Sequence, residues 1–89
     1  MKPTLTLRLV LTHQWYDLTA SGQKLTEYRA ITPHWTRLIW DRREQITHVC
    51  FSRGYTAQNL TRRVERIDIG ACPLAGWSGT YYRLHFAAA

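Results

Sequence analysis

The stretch TLTLRLVL, Thr4 to Leu11, alternates polar and apolar residues so that Leu5, Leu7, Leu9 and Leu11 fall in one phase. A period of two is that of a strand with one buried face. In a chain of 89 residues such strands must share a single core, because a small chain buries too little surface to support two. The expectation is therefore one domain, residues 1–89, with a sheet that is apolar on one side. TYYRLHF near the end repeats the pattern, with Tyr82, Leu84 and Phe86 in phase. KLTEYRAI (24–31) and ITHVCFSRGY (46–55) read as the second and third strands. NLTRRVERIDI (59–69) reads as a long charged fourth strand whose parity slips: Leu60 and Val64 share one phase, Ile67 and Ile69 the other. One extra residue, a β-bulge, produces such a slip.

Two helical segments interrupt this series. HQWYDLTAS follows Thr12, a candidate N-cap, and brings Trp15 and Leu18 to the side of Leu11. Gly22 then suits a left-handed C-terminal cap. PHWTRLIWDRRE (33–44) begins on Thr32-Pro33, a favoured helix start, and puts Trp35, Leu38, Ile39 and Arg42 on one stripe. Trp40 falls off that stripe, and Trp77 lies in the loop GACPLAGWSG; each is a candidate stacking platform or lid. The predicted order is β-α-β-α-β-β-β, an α+β fold built on a small mixed barrel of about five strands with two helices.

A hydrophobic content of 45% with 12% aromatics fits a folded globular chain. No apolar run approaches the roughly 20 residues of a membrane span, and MKPTLTLRLVLTHQW lacks the pattern of a secretory signal. A cytoplasmic protein without membrane contact is expected. Cys50 and Cys72, the two cysteines, then read as buried hydrophobes or free thiols. With His48 and His85 they show no zinc-ligand spacing, so no metal site and no cofactor is expected. Twelve basic residues face six acidic ones, a net charge of +6. Ten of the twelve are arginine, whose planar fork suits phosphates and base edges. With four tryptophans and five tyrosines, this composition fits a nucleic-acid surface and equally a basic protein without such a partner.

Gly22, Lys24, Glu27 and Arg29 in SGQKLTEYR match the G-x-K-x-x-E-x-R signature of the ASCH family, a branch of the PUA-like β-barrels. ITPHWTRLIW resembles the family's second helix, FSRGY its F-x-x-G-Y strand end, and VERIDIG with TYYRLHF its closing strands. The resemblance covers nearly the whole chain, in the spacing of the small single-domain members often found in phages and bacteria. It implies a pseudo-barrel with a cleft into which the signature residues point, in a superfamily associated with RNA and modified nucleotides. For a phage member the compartment would be the host cytoplasm. Some small members hydrolyse N4-acetylcytidine, and ribonuclease activity has been ascribed to others.

Read from the residues, Glu27 and Arg29 stand two apart on a strand and share a face where they can pair. Lys24 would reach in from the strand entry. These charges make either a ligand site or a plain structural ion pair. On the resemblance, Lys24, Glu27, Arg29, Arg53, Gly54 and Tyr55 are the ligand-binding set. Lys24 and Arg53 would hold phosphate, Glu27 would accept from a base or ribose, and Tyr55 would stack. Arg62 and Arg66 are secondary nucleic-acid contacts, on one face if the strand stays regular; a strand charged against edge pairing explains them as well. Lys24 and Glu27 are the catalytic candidates if the protein is an enzyme. In the amidohydrolase members, the lysine works with a threonine three positions on and a glutamate from a later strand. Here Glu27 holds the threonine's place, Thr26 alternates to the opposite face, and Glu65 is the candidate for the later glutamate. A host protein is the remaining candidate partner.

Overall fold

The structure, a computed structural model, describes residues 4–89. Met1 to Pro3, part of the segment read as lacking a secretory signal, lie outside the described residues. Five strands and two short helices follow in the expected order: β1 (Leu5–Leu11), α1 (His13–Ala20), β2 (Thr26–Ala30), α2 (Pro33–Trp35, running on as a π turn over Thr36–Trp40), β3 (Ile46–Arg53), β4 (Asn59–Ala71) and β5 (Thr80–Phe86). The sheet order is β1-β3-β4-β5-β2. β1 pairs with β3 in parallel, and the other neighbours are antiparallel. The fold is α+β, a mixed sheet curled into a half-barrel.

The curl originates in β4. Its first part pairs with β3 (Ser52↔Asn59 to His48↔Arg63) and its second with β5 (Val64↔Phe86 to Ala71↔Thr80). Between Val64 and Arg66 the register shifts at Glu65, the bulge that the parity slip predicts. The extra residue bends the strand and raises its twist, so one strand serves both halves of the sheet. Past the bulge, Ile67 and Ile69 stand opposite Leu84 and Tyr82 on the concave face, as Val64 stands opposite Phe86. Without the slip they would point outward.

Leu7, Leu9 and Leu11 of β1, Val49 and Phe51 of β3, and Tyr82, Leu84 and Phe86 of β5 fill the concave face. Each such side chain contributes about 1.5–3 kcal/mol by leaving water. Phe51 and Phe86 meet at 5.2 Å between ring centroids. The helices close the open side with Tyr16 and Thr19 from α1 and Ile39 from the π turn. Of the expected α1 stripe, Trp15 packs at the margin of the core, and both Trp15 and Leu18 stay half-buried.

Two local readings change. Thr12 occupies the N-cap position of α1, yet its side chain makes no capping bond; at the second helix the Trp35 amide does donate to Thr32 Oγ1, at 3.2 Å. The second helix, expected over 33–44, stops at Trp40. Its last turn is wide, with the Asp41 amide bonding to the Thr36 carbonyl five residues back at 2.9 Å. That extra residue swings Trp40 from off the stripe onto Tyr82, where the rings stack 5.6 Å apart and 14° from parallel. The Arg43 guanidinium covers the indole at 4.2 Å. Trp40 is therefore a packing residue, not a free platform.

Candidate nucleotide-binding seam

The two ends of the sheet, β1 and β2, curl toward each other without pairing, and Arg29 spans the gap. Its Nη2 donates to the Val10 carbonyl of β1 at 3.1 Å and to Glu27 Oε2 at 2.7 Å, while Nε donates to the same oxygen at 3.1 Å. Strand alternation explains the approach. Glu27 and Arg29 stand opposite Leu84 and Tyr82 of the core and so lie on the concave face. Lys24 reaches in from the strand entry and donates to Glu27 Oε1 at 2.5 Å. The turn at Gly22 makes this possible: Gly22 adopts φ +84°, and the Lys24 amide turns back to the Leu18 carbonyl at 3.1 Å.

Glu27 is 6% exposed, so its charge sits out of water. One cation on each oxygen compensates the desolvation. Both cations also rest on indoles, Lys24 at 6.0 Å from the Trp15 ring centre and Arg29 at 4.9 Å from that of Trp35. The three signature charges form one unit with a net charge of +1.

Above this unit, along the seam, lies a cleft of about 320 Å³. Lys24, Glu27 and Arg29 contribute its charges, and Trp15, Tyr28, Trp77 and Tyr81 its aromatic surface. Trp77 reaches it because the β4–β5 loop folds over the outer face of β2, with its ring against Tyr28 at 6.4 Å and Tyr81 at 5.4 Å. The sequence leaves Trp77 between platform and lid; here it is a wall of the cleft.

The other expected residues divide. Gly54 (φ +56°) turns the chain at the end of β3, and its amide donates to the Leu11 carbonyl at 2.7 Å. A side chain there would meet the His13 ring at 2.9 Å. Parallel pairing sets the ends of β1 and β3 side by side, which brings α1 over this turn. Arg53 consequently grips Asp17 of α1 with two bonds, Nε–Oδ1 at 3.0 Å and Nη2–Oδ2 at 3.2 Å. The pair lowers the Asp17 pKa through that hydrogen bond. Arg53 is thus engaged in holding the helix. Tyr55 is 98% exposed and has its whole ring free for contact.

Arg62 and Arg66 do not share a face. Arg62 stands opposite core residue Val49 and Arg66 opposite His85 on the convex side, because the bulge at Glu65 reverses the parity between them. Glu65 itself is exposed at the bulge and is not among the residues lining the seam cleft.

On the convex face Asp68 collects three basic groups: Arg83 (Nε–Oδ1 2.7 Å, Nη2–Oδ2 3.1 Å), His85 (Nε2–Oδ1 3.1 Å) and Arg66 (3.4 Å). The Arg83 hydrogen bonds, with His85 adding to them, hold the Asp68 carboxyl at about 2. Thr26 belongs to this face too, 3.3 Å from His85 Nδ1. Cys50 and Cys72 are buried free thiols. Among the described residues, no group of three or more His, Cys, Asp or Glu side chains is placed to hold a metal ion, and no helix is long and apolar enough to cross a membrane.

Comparison of the chain with family models, with curated proteins and with solved structures found no match.

Proposed function

We propose that the chain is an ASCH-type, PUA-like domain that binds RNA or a nucleotide in the seam cleft and works in the cytoplasm. The observation that carries this reading is the buried Glu27, fixed between Lys24 and Arg29 at the floor of a cleft with indole and phenol walls. A carboxylate has about four acceptor sites. Lys24 and Arg29 fill three, two on Oε2 and one on Oε1, which leaves one on Oε1 for a single base amino or imide N–H. The aromatic walls offer π-faces to an unstacked base. The net positive unit favours a phosphate at the rim. Lys24 and Arg29 supply that donor role, since Arg53 is bound to Asp17.

Binding is preferred to hydrolysis because the amidohydrolase constellation lacks its threonine. Glu27 stands in that place, and Thr26 stands opposite His85 on the other face.

The test is a titration of the wild type and of a Lys24→Ala/Arg29→Ala variant with single-stranded RNA, duplex RNA and a panel of modified nucleosides at two salt concentrations. Wild-type affinity for RNA should fall with salt, the logarithmic slope being about −0.7 per phosphate neutralised on a single strand. The variant should lose the binding. Equal silence of both proteins, or binding indifferent to salt and to the substitutions, would refute the reading and direct attention to a protein partner. Product formed by the wild type and not by the variant would replace binding with catalysis.

A further inference from the structure

The seam cleft does not end at Arg29. Beyond that side chain a second hollow of about 510 Å³ opens, with Arg8, Trp35, Gly54 and Tyr55 on its walls. The two hollows share Val10, Leu11, Thr12 and Arg29, so the end of β1 is a common wall and Arg29 the partition.

Their chemistry differs. The first contains the Glu27 carboxylate and most of the aromatic surface. The second is lined by two arginines, Arg8 and Arg29, and by no acidic residue. Glu27 and Val10 engage Nε and Nη2 of Arg29, which leaves Nη1, among the described residues, as the donor available to a ligand. Arg8 is exposed, its contact to Cys50 Sγ is long at 4.0 Å, and its guanidinium is free to turn to a phosphate. Tyr55, almost fully exposed, has no packing to give up on stacking.

We propose that the ligand of the seam is a phosphodiester-linked single strand of at least two nucleotides, not a free nucleoside. One base occupies the aromatic chamber over Glu27, the linking phosphate meets Arg29 Nη1 and Arg8, and the next nucleotide lies against Tyr55. This rests on the nucleotide reading of the first chamber and adds the minimum length of what enters it and the phosphodiester link between its units. A single strand is favoured because its bases can splay into a chamber without breaking pairs. The chemistry common to both hollows is that of RNA and DNA strands alike, and the sugar is an arm of the test.

The experiment measures affinity, by fluorescence of the tryptophans at the seam, for a nucleoside, a 5′-phosphorylated mononucleotide, and 5′-phosphorylated di- and tetranucleotides. Each is made with a single base type, in ribo and deoxyribo forms. A second stacked base and a shared phosphate should raise affinity about tenfold from mononucleotide to dinucleotide. Arg8→Ala and Tyr55→Ala, both at exposed positions, should shrink that step by lowering dinucleotide affinity more than mononucleotide affinity. Equal affinity for one and two nucleotides would overturn the inference and leave the single-nucleotide site standing. So would a step that survives both substitutions. If no member of the series binds, the nucleotide reading of the seam fails with it.

Discussion

Gly70 of β4 lies directly beneath the Arg83 guanidinium. A Cβ built on it would collide with Cζ and stand 2.6 and 2.7 Å from the two Nη atoms. The backbone at Gly70 is not left-handed, so Gly70→Ala strains no dihedral and acts by displacing the arginine. The displaced side chain gives up its two bonds to Asp68 and the 3.3 Å bond from Nη1 to the Ala71 carbonyl. Folding lowers the Asp68 pKa from 3.8 to about 2, and at ~1.4 kcal/mol per unit this is an upper limit of ~2.5 kcal/mol. Asp68 and Arg83 side chains are 31% and 28% exposed, and solvent screening reduces the contribution to about 1 kcal/mol. Folded Asp68 holds its proton less tightly than the unfolded chain does. Its contribution is therefore complete above pH 3.8 and is lost as the pH falls to about 2. Alanine also gains up to about 1 kcal/mol over glycine in a strand, at every pH. The decisive quantity is thus the pH dependence. Between pH 6 and pH 2 the wild type should lose about 1 kcal/mol more than Gly70→Ala, read from urea unfolding at a series of pH values. NMR titration of the Asp68 carboxyl should move from about 2 back toward 3.8 in the variant. Parallel stability curves with an unmoved carboxyl midpoint would refute the account.

Glu27→Gln should cost about 3 kcal/mol in denaturant unfolding, because it leaves Lys24 and Arg29, with side chains only 12% and 18% exposed, facing each other without a counter-charge. Replacing all three residues with apolar ones of similar size should recover most of that loss; a change below about 0.5 kcal/mol in the single variant would mean that water screens the unit. Trp40→Ala should destabilise by about 3 kcal/mol through the lost packing on Tyr82, whereas Trp77→Ala, at a residue 39% exposed, should cost less than about 1 kcal/mol and weaken RNA binding instead. Equal stability losses at the two tryptophans would contradict their assignment to core and cleft.

Much of this was legible because strands advertise their faces. The alternation at Leu7, Leu9 and Leu11 and at Tyr82, Leu84 and Phe86 identifies the buried set directly. The parity slip between Val64 and Ile67 confines the bulge to Glu65 or Arg66, and the register of β4 on β5 puts it at Glu65. Trp40 was misplaced for a reason of the same kind: a π turn adds a residue to the helical period, and the 3.6-residue stripe does not anticipate it. The engagement of Arg53 is not legible in the sequence because its partner, Asp17, is 36 residues away in the chain. Arg8 is the one charge of an alternating strand, a pattern that marks no site, and only its place on the wall of the second hollow distinguishes it.

The sequence by itself determined which side of β1 and of β5 is buried, that β4 bends between Val64 and Ile67, and that Glu27 and Arg29 share a face. These follow from the two-residue period and from local chain geometry, which act over a few bonds. Only the tertiary structure decided that β1 and β2 meet across a seam, that Arg29 bridges it to the Val10 carbonyl, and that Trp77 and Arg8 stand on either side of Arg29. Those outcomes depend on how far the sheet curls, and the curl is a property of all five strands and the core they enclose.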